Sequence, residues 1–68
     1  MKALIFSADQ YKRSELDKMS DKEKYELAHF ASNFGYDEAC VATLSELQEL
    51  INNRTISFDN TWVYFVEL

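Results

Sequence analysis

Few side chains in this sequence are of a type and spacing that could carry out catalysis. Cys40 and His29 form the only possible thiol–imidazole pair. A reactive cysteine needs an accessible, electropositive environment that lowers its pKa. Cys40 instead lies between Ala39 and Val41 and follows two acidic residues. We therefore expect a buried, inert thiol, as is common for free cysteine.

Phosphate-binding and metal-binding motifs are also missing from the sequence. The phosphate-binding loop and the dinucleotide fingerprint need two or three glycines, and this chain has only Gly35. One cysteine and one histidine cannot supply the four ligands of a usual zinc site. No two carboxylates have a spacing that pairs them for acid–base work. These observations predict a protein that is not an enzyme and has no metal or cofactor.

One loop could still hold a small ligand. Tyr11, Lys12 and Arg13 follow the first predicted strand, and ligands of open α/β sheets gather where strands end. Lys12 and Arg13 could hold an anionic group while Tyr11 stacks on it, and His29 could also take part. A small-ligand binder or enzyme is therefore one hypothesis, although a solvated loop is favoured because the segment lacks glycine.

Acidic residues are concentrated in the second half of the chain. Residues 1–34 contain six acids and six bases, whereas residues 35–68 contain six acids and only Arg54, so the net charge of −5 lies there. This charge disfavours nucleic acid and favours basic partners, although it could serve solubility alone. If the acids align like phosphates, the protein could be a nucleic-acid-mimicking inhibitor of a DNA-binding protein. The candidate acids are Asp37, Glu38, Glu46, Glu49, Asp59 and Glu67.

Residues 61–68 predict a strand that is apolar on both faces. Their β-branched and aromatic residues are typical of strands, and successive side chains point to opposite faces. Trp62, Tyr64 and Val66 share one face, which we place at an interface or on the outer side of the sheet. Aromatic residues are enriched at such interfaces.

A helix predicted over 21–34 offers a second candidate surface. Its buried stripe should consist of residues at i, i+3, i+4 and i+7, namely Leu27, Phe30, Ala31 and Phe34. His29 then faces solvent, with Tyr25 one turn earlier on the same outer face. These two residues could form a docking face, but an ordinary exposed helix surface is the favoured interpretation.

The remaining pattern predicts a small single domain over 1–68 of α/β or α+β class. We expect a three- or four-stranded sheet with right-handed crossovers, a central first strand and both helices packed on one face. The helix over 21–34 should end at Gly35 and Tyr36. The other predicted elements are a strand over 2–8, a loop over 9–14, a short turn over 15–19, a strand over 38–42, a helix capped by Thr43 and Glu46, a brief strand over 55–58 and a turn at Asp59 and Asn60.

The size of the chain favours association with a partner. A chain this short buries only about 60% of the surface that its unfolded form exposes, and a single cysteine excludes an internal disulfide. No apolar run is long enough to span a membrane, so we expect a cytoplasmic protein that does not bind membranes. The leading hypothesis is a small acidic, non-catalytic interaction or regulatory module that binds another protein and forms a homodimer or other homo-oligomer through its sheet.

Overall fold

The structure is a computed structural model that describes residues 1–33 and 38–67. Three strands and three helices form an α+β fold, which confirms the predicted fold class. In chain order the elements are β1 (Lys2–Ser7), α1 (Arg13–Leu16), α2 (Asp21–Ser32), β2 (Ala39–Ala42), α3 (Leu44–Asn52) and β3 (Thr61–Val66).

The strands form one sheet in the order β2-β1-β3, so β1 is the central strand, as predicted. Both neighbours are antiparallel to β1: Ile5 is opposite Cys40 of β2 and Val63 of β3. The expectation of right-handed crossovers between parallel strands is therefore wrong. Alternating strands and helices do not fix strand direction, because a helical connection can return the chain to either end of a sheet.

The two longer helices lie on opposite faces of the sheet. Leu4 and Phe6 of β1 pack with Ala28 of α2, whereas Ala3 and Ile5 belong to a second cluster with Leu47, Leu50 and Ile51 of α3. The prediction that both helices cover one face is wrong. Because β1 is apolar on both sides, each of its faces needs its own cover.

Helix α2 begins as the sequence predicts but buries a different stripe. The Ser20 hydroxyl accepts a hydrogen bond from the Glu23 amide, and the Glu23 carboxylate accepts one from the Ser20 amide. The buried residues are Lys24, Ala28 and Ala31, whereas Phe30 is 63% exposed. The predicted burial of Phe30 is therefore wrong, because the buried side of the helix runs through Lys24, Ala28 and Ala31 instead. Phe34, Gly35 and Tyr36 lie outside the described residues.

Helix α3 is also capped as predicted, with hydrogen bonds of 3.0–3.1 Å joining Thr43 and Glu46 reciprocally. The sequence predicts that Leu44, Leu47, Leu50 and Ile51 form the buried stripe of this helix. Leu47 is buried and Leu50 and Ile51 are half-buried, but Leu44 is 48% exposed, so its predicted place in the stripe is wrong. Leu44 is the first residue of the helix and does not belong to the cluster that contains Leu47.

The end of α3 explains why no strand forms over 55–58, contrary to the prediction. Arg54 has φ = 57°, and its amide donates to the Ile51 carbonyl while the Thr55 amide donates to the Leu50 carbonyl. This pair of bonds is a Schellman motif, which usually places glycine where Arg54 lies. The Ile56 amide also donates to Leu50. The amides of Thr55 and Ile56, which a strand would need for pairing, are thus already bonded to the end of α3.

We predict that Arg54→Gly stabilises the fold by about 1 kcal/mol, because the left-handed conformation costs other residues about that much. Chemical denaturation measures this change in the free energy of unfolding. Asn52→Gly is the matched control: it places the same residue inside the helix and should destabilise the fold. Equal effects of the two substitutions would contradict the prediction.

Candidate interaction surfaces

The aromatic face of β3 is used inside the folded chain. The Trp62 indole Nε1 donates to the Tyr11 carbonyl oxygen at 3.0 Å, and the Tyr64 hydroxyl donates to Asp17 Oδ1 at 2.6 Å. Val66 is buried. The prediction that the face with Trp62, Tyr64 and Val66 lies on the outer side of the sheet is wrong, because α1, α2 and the loop before them cover it.

A cluster of polar side chains holds α1 and α2 against this face of β3. Lys24 is buried on α2 with its ammonium group 4.6 Å from the centre of the Tyr64 ring, where cation–π attraction operates, and 3.7 Å from Asp21 Oδ1. Asp17 also pairs with Arg13 at 3.7 Å. Burial, together with the hydrogen bond and charge of Asp17, raises the pKa of Tyr64 to about 12. Tyr64 is therefore held as a neutral donor that ties β3 to α1.

The outer edge of β3 is accessible at Val63 and Phe65, whereas Thr61 is buried. The Ala8 amide donates to the Asn60 carbonyl at 2.9 Å, and bonding alternates along antiparallel pairs. The backbone groups of Thr61, Val63 and Phe65 therefore point away from β1. No strand among residues 1–33 and 38–67 pairs with that edge. Phe65, on the face opposite Trp62, is 54% exposed.

A groove of about 580 Å³ lies on the α3 side of the sheet. Apolar parts of its lining come from Ile5, Cys40, Leu50 and Ile56. Cys40 is buried, as predicted. Burial and the nearby Glu46 charge raise the pKa of its thiol. Cys40 therefore contributes apolar surface to the groove rather than a thiolate nucleophile.

The polar lining of the same groove is acidic. Among the described residues, it includes the carboxylates of Glu38, Glu46 and Glu49 and one cation, Arg54. We call this feature the acidic groove. Within the described part of the chain, no three His, Cys, Asp or Glu side chains are grouped closely enough to hold a metal ion.

Two of the other predicted acids, Asp59 and Glu67, do not line the groove. Asp59 is exposed in the turn before β3, and Glu67 lies 4.0 Å from the Met1 amino group. Asp37 lies outside the described residues. The structure therefore brings together three of the predicted acids and leaves two apart. Sequence reasoning did not identify the groove, because its lining comes from four separate segments.

The predicted ligand loop is largely engaged within the fold. The Tyr11 ring is edge-on to Phe6 with 5.2 Å between centres, and burial raises its pKa. Arg13 pairs with Asp17, and Lys12 is an exposed residue at the start of α1. None of Tyr11, Lys12 and Arg13 lines the acidic groove.

Tyr25 and His29 lie together on α2, with their rings stacked 5.9 Å apart and nearly parallel. His29 is exposed, as predicted. Tyr25 is only half-exposed, because it also packs against the cluster that contains Leu4 and Phe6. The pair is a surface contact within one helix, and one of its members supports the core.

Comparison with known proteins gave no match to a family model, a curated protein or a solved structure. None of the described helices is long and apolar enough to cross a membrane.

We predict that Asp17→Asn lowers the pKa of Tyr64 from about 12 but leaves it above the ordinary 10.0, because burial remains. In the intact protein, Tyr64 contributes stability that is fully present below pH 10.0 and is lost as the pH rises to about 12. Ultraviolet absorbance titration measures the pKa, with Tyr64→Phe to assign the step. The control Asp59→Asn should leave the pKa of Tyr64 unchanged; an unaltered value in Asp17→Asn would contradict the prediction.

Proposed function

We propose that this protein is a small, non-catalytic interaction module that self-associates by pairing the β3 edges of two copies. The observation that carries the proposal is the open outer edge of β3, which has no proline and no charged residue along Thr61–Val66. Proteins commonly protect such edges with charge, proline or a covering segment. An unprotected edge that ends beside an exposed Phe65 is suited to pairing with another strand.

Two-fold symmetry makes this edge self-complementary. In an antiparallel pair of β3 strands, outward-pointing residues bond only with outward-pointing residues. A two-fold axis at Val63 places Val63 opposite its copy and Thr61 opposite Phe65, so all the outward backbone groups of the strand are used. The resulting continuous sheet would have six strands, twice the three of one copy.

The nucleic-acid-mimic hypothesis has weaker support. Such an inhibitor needs carboxylates that project in a row from a convex surface, to enter the basic groove of its target. Glu38, Glu46 and Glu49 instead line a concave surface. The small-ligand hypothesis is also weaker, because Tyr11 and Arg13 make contacts within the fold.

We predict that Phe65→Lys prevents self-association, because lysine on an edge strand opposes strand addition. Sedimentation velocity over a range of concentrations should show a monomer–dimer equilibrium for the natural protein and a monomer for the variant. Phe58→Lys is the matched control, because Phe58 is 61% exposed but lies outside β3. It should dimerise normally. A natural protein that stays monomeric at high concentration would overturn the proposal.

We also predict that Val63→Cys crosslinks the dimer in a Cys40→Ala background. Residues opposite each other in a bonded antiparallel pair have Cα atoms about 5.5 Å apart, which a disulfide can span. Mild oxidation should give a covalent dimer on a non-reducing gel. Phe58→Cys in the same background should give little. Equal crosslinking at the two positions would contradict the arrangement, even if the protein dimerises.

A further inference from the structure

We infer that the acidic groove binds a short zwitterionic peptide, which is a free chain of two or three residues with one ammonium end and one carboxylate end. The inference depends on the size of the groove, its apolar floor and the presence of both signs of charge in its lining. It goes beyond the proposed self-association, because the groove lies on the α3 side of the sheet and not at the outer edge of β3.

The size and surface of the groove suit a small peptide. Its volume of about 580 Å³ lies within the usual range for small-molecule sites, about 300–1,000 Å³. Ile5 and Cys40 of the sheet form an apolar floor, and Leu50 and Ile56 add apolar surface beside it. Two residues in extended conformation span about 7 Å, so a dipeptide can place its two ends on different parts of the lining.

Arg54 supplies the group that holds the carboxylate end. It lines the groove, and among the described residues no carboxylate forms a salt bridge with it. Its φ of 57° is the left-handed conformation, and residues held in such conformations cluster at binding and active sites. The Schellman bonds are made by the backbone, so closing the helix does not require an arginine side chain. A guanidinium group suits a carboxylate because it can donate two parallel hydrogen bonds.

Glu38 and Glu49 supply the groups for the ammonium end. Both line the groove: Glu38 is half-buried just before β2, and Glu49 is exposed on α3. Glu38 and Arg54 lie toward the same end of the sheet, because the Glu38 carbonyl accepts from the Ser7 amide and the chain after Arg54 enters β3 at Thr61, opposite Ser7. A ligand with a single charge would leave either the guanidinium group or the carboxylates without a partner. A peptide with both charged ends complements both.

The test is a titration of the protein with leucyl-leucine, followed by NMR of backbone amides at about pH 6, where the amino end of the peptide is protonated. The amide signals of Cys40, Leu50 and Ile56 should shift together and saturate. N-acetyl-leucyl-leucine lacks the ammonium group and leucyl-leucine amide lacks the carboxylate. Each should bind about fivefold more weakly, the order expected from losing one exposed ion pair. Phe65→Lys should bind leucyl-leucine as the natural protein does, which separates this site from self-association.

Arg54→Gly tests the guanidinium group without harming the fold, because glycine accepts the left-handed conformation at no cost. It should weaken the binding of leucyl-leucine about fivefold. It should not weaken the binding of leucyl-leucine amide, which has no carboxylate for Arg54 to hold. Lys18→Gln is the matched control: it also removes one positive charge, and Lys18 is exposed and does not line the groove. This control should bind leucyl-leucine as the natural protein does.

A pair of carboxylate variants tests the other end of the site. Glu38→Gln with Glu49→Gln should weaken the binding of leucyl-leucine and of its amide, but not that of N-acetyl-leucyl-leucine. The control, Glu15→Gln with Glu26→Gln, removes the same charge from exposed positions on α1 and α2 that do not line the groove. It should bind all three peptides almost as the natural protein does.

Three results would overturn the inference. Equal affinity for leucyl-leucine and its amide would mean that the carboxylate end is not recognised. Equal effects of Arg54→Gly and Lys18→Gln, or of the two double variants, would mean that net charge alone governs binding. An absence of shifts in the groove at the highest soluble peptide concentration would exclude the site, whether or not the protein dimerises.

Discussion

The whole structure depends on the need to bury β1 on both faces. Ala3, Leu4, Ile5 and Phe6 are all buried, and β-strand geometry directs them alternately to the two sides of the sheet. One helix must therefore pack on each face. Among the residues that the structure describes, no further helix is available to complete either layer. On the α3 side of the third strand, Val63 packs against the core but Phe65 stays 54% exposed, and no described strand pairs with the outer edge.

Specific polar contacts decide which side of β3 is covered. The indole of Trp62 and the hydroxyl of Tyr64 bond to the loop after β1 and to α1, and Lys24 lies over the Tyr64 ring. Aromatic side chains with one polar atom suit this role, because they fill apolar space and still satisfy a hydrogen bond. Phe65 has no such polar atom and points to the other side, where α3 leaves it half-exposed. Strand β3 thus uses the face with Trp62 and Tyr64 for folding and its outer edge for the proposed association.

The two edges of the sheet differ in chemistry, and this difference organises the proposed function. The β3 edge has no charged residue within the strand, which favours a second copy of the same strand. The outer side of β2, by contrast, is largely covered, because Ala39 is only 1% exposed.

The sequence by itself determined the local features. Ser20 with Glu23 and Thr43 with Glu46 cap their helices through hydrogen bonds that span only three residues, so no distant contact is needed. The positions of the three strands, the central place of β1, the burial of Cys40 and the exposure of His29 were likewise predictable from pattern and periodicity. Among the candidate site residues, however, only the types and the charge excess could be predicted.

Tertiary structure alone decided how these elements combine. Strand direction, the placement of the helices on opposite faces, the burial of Lys24 and the gathering of Glu38, Glu46 and Glu49 depend on residues far apart in the chain. Local pattern cannot show them, because the same apolar stripe can pack against either face of a sheet. The segment after α3 is a further example: its β-branched residues predict a strand, but Leu50 already binds its backbone. Hydrogen bonds made within one turn follow from sequence, whereas those made across the sheet follow only from the packed fold.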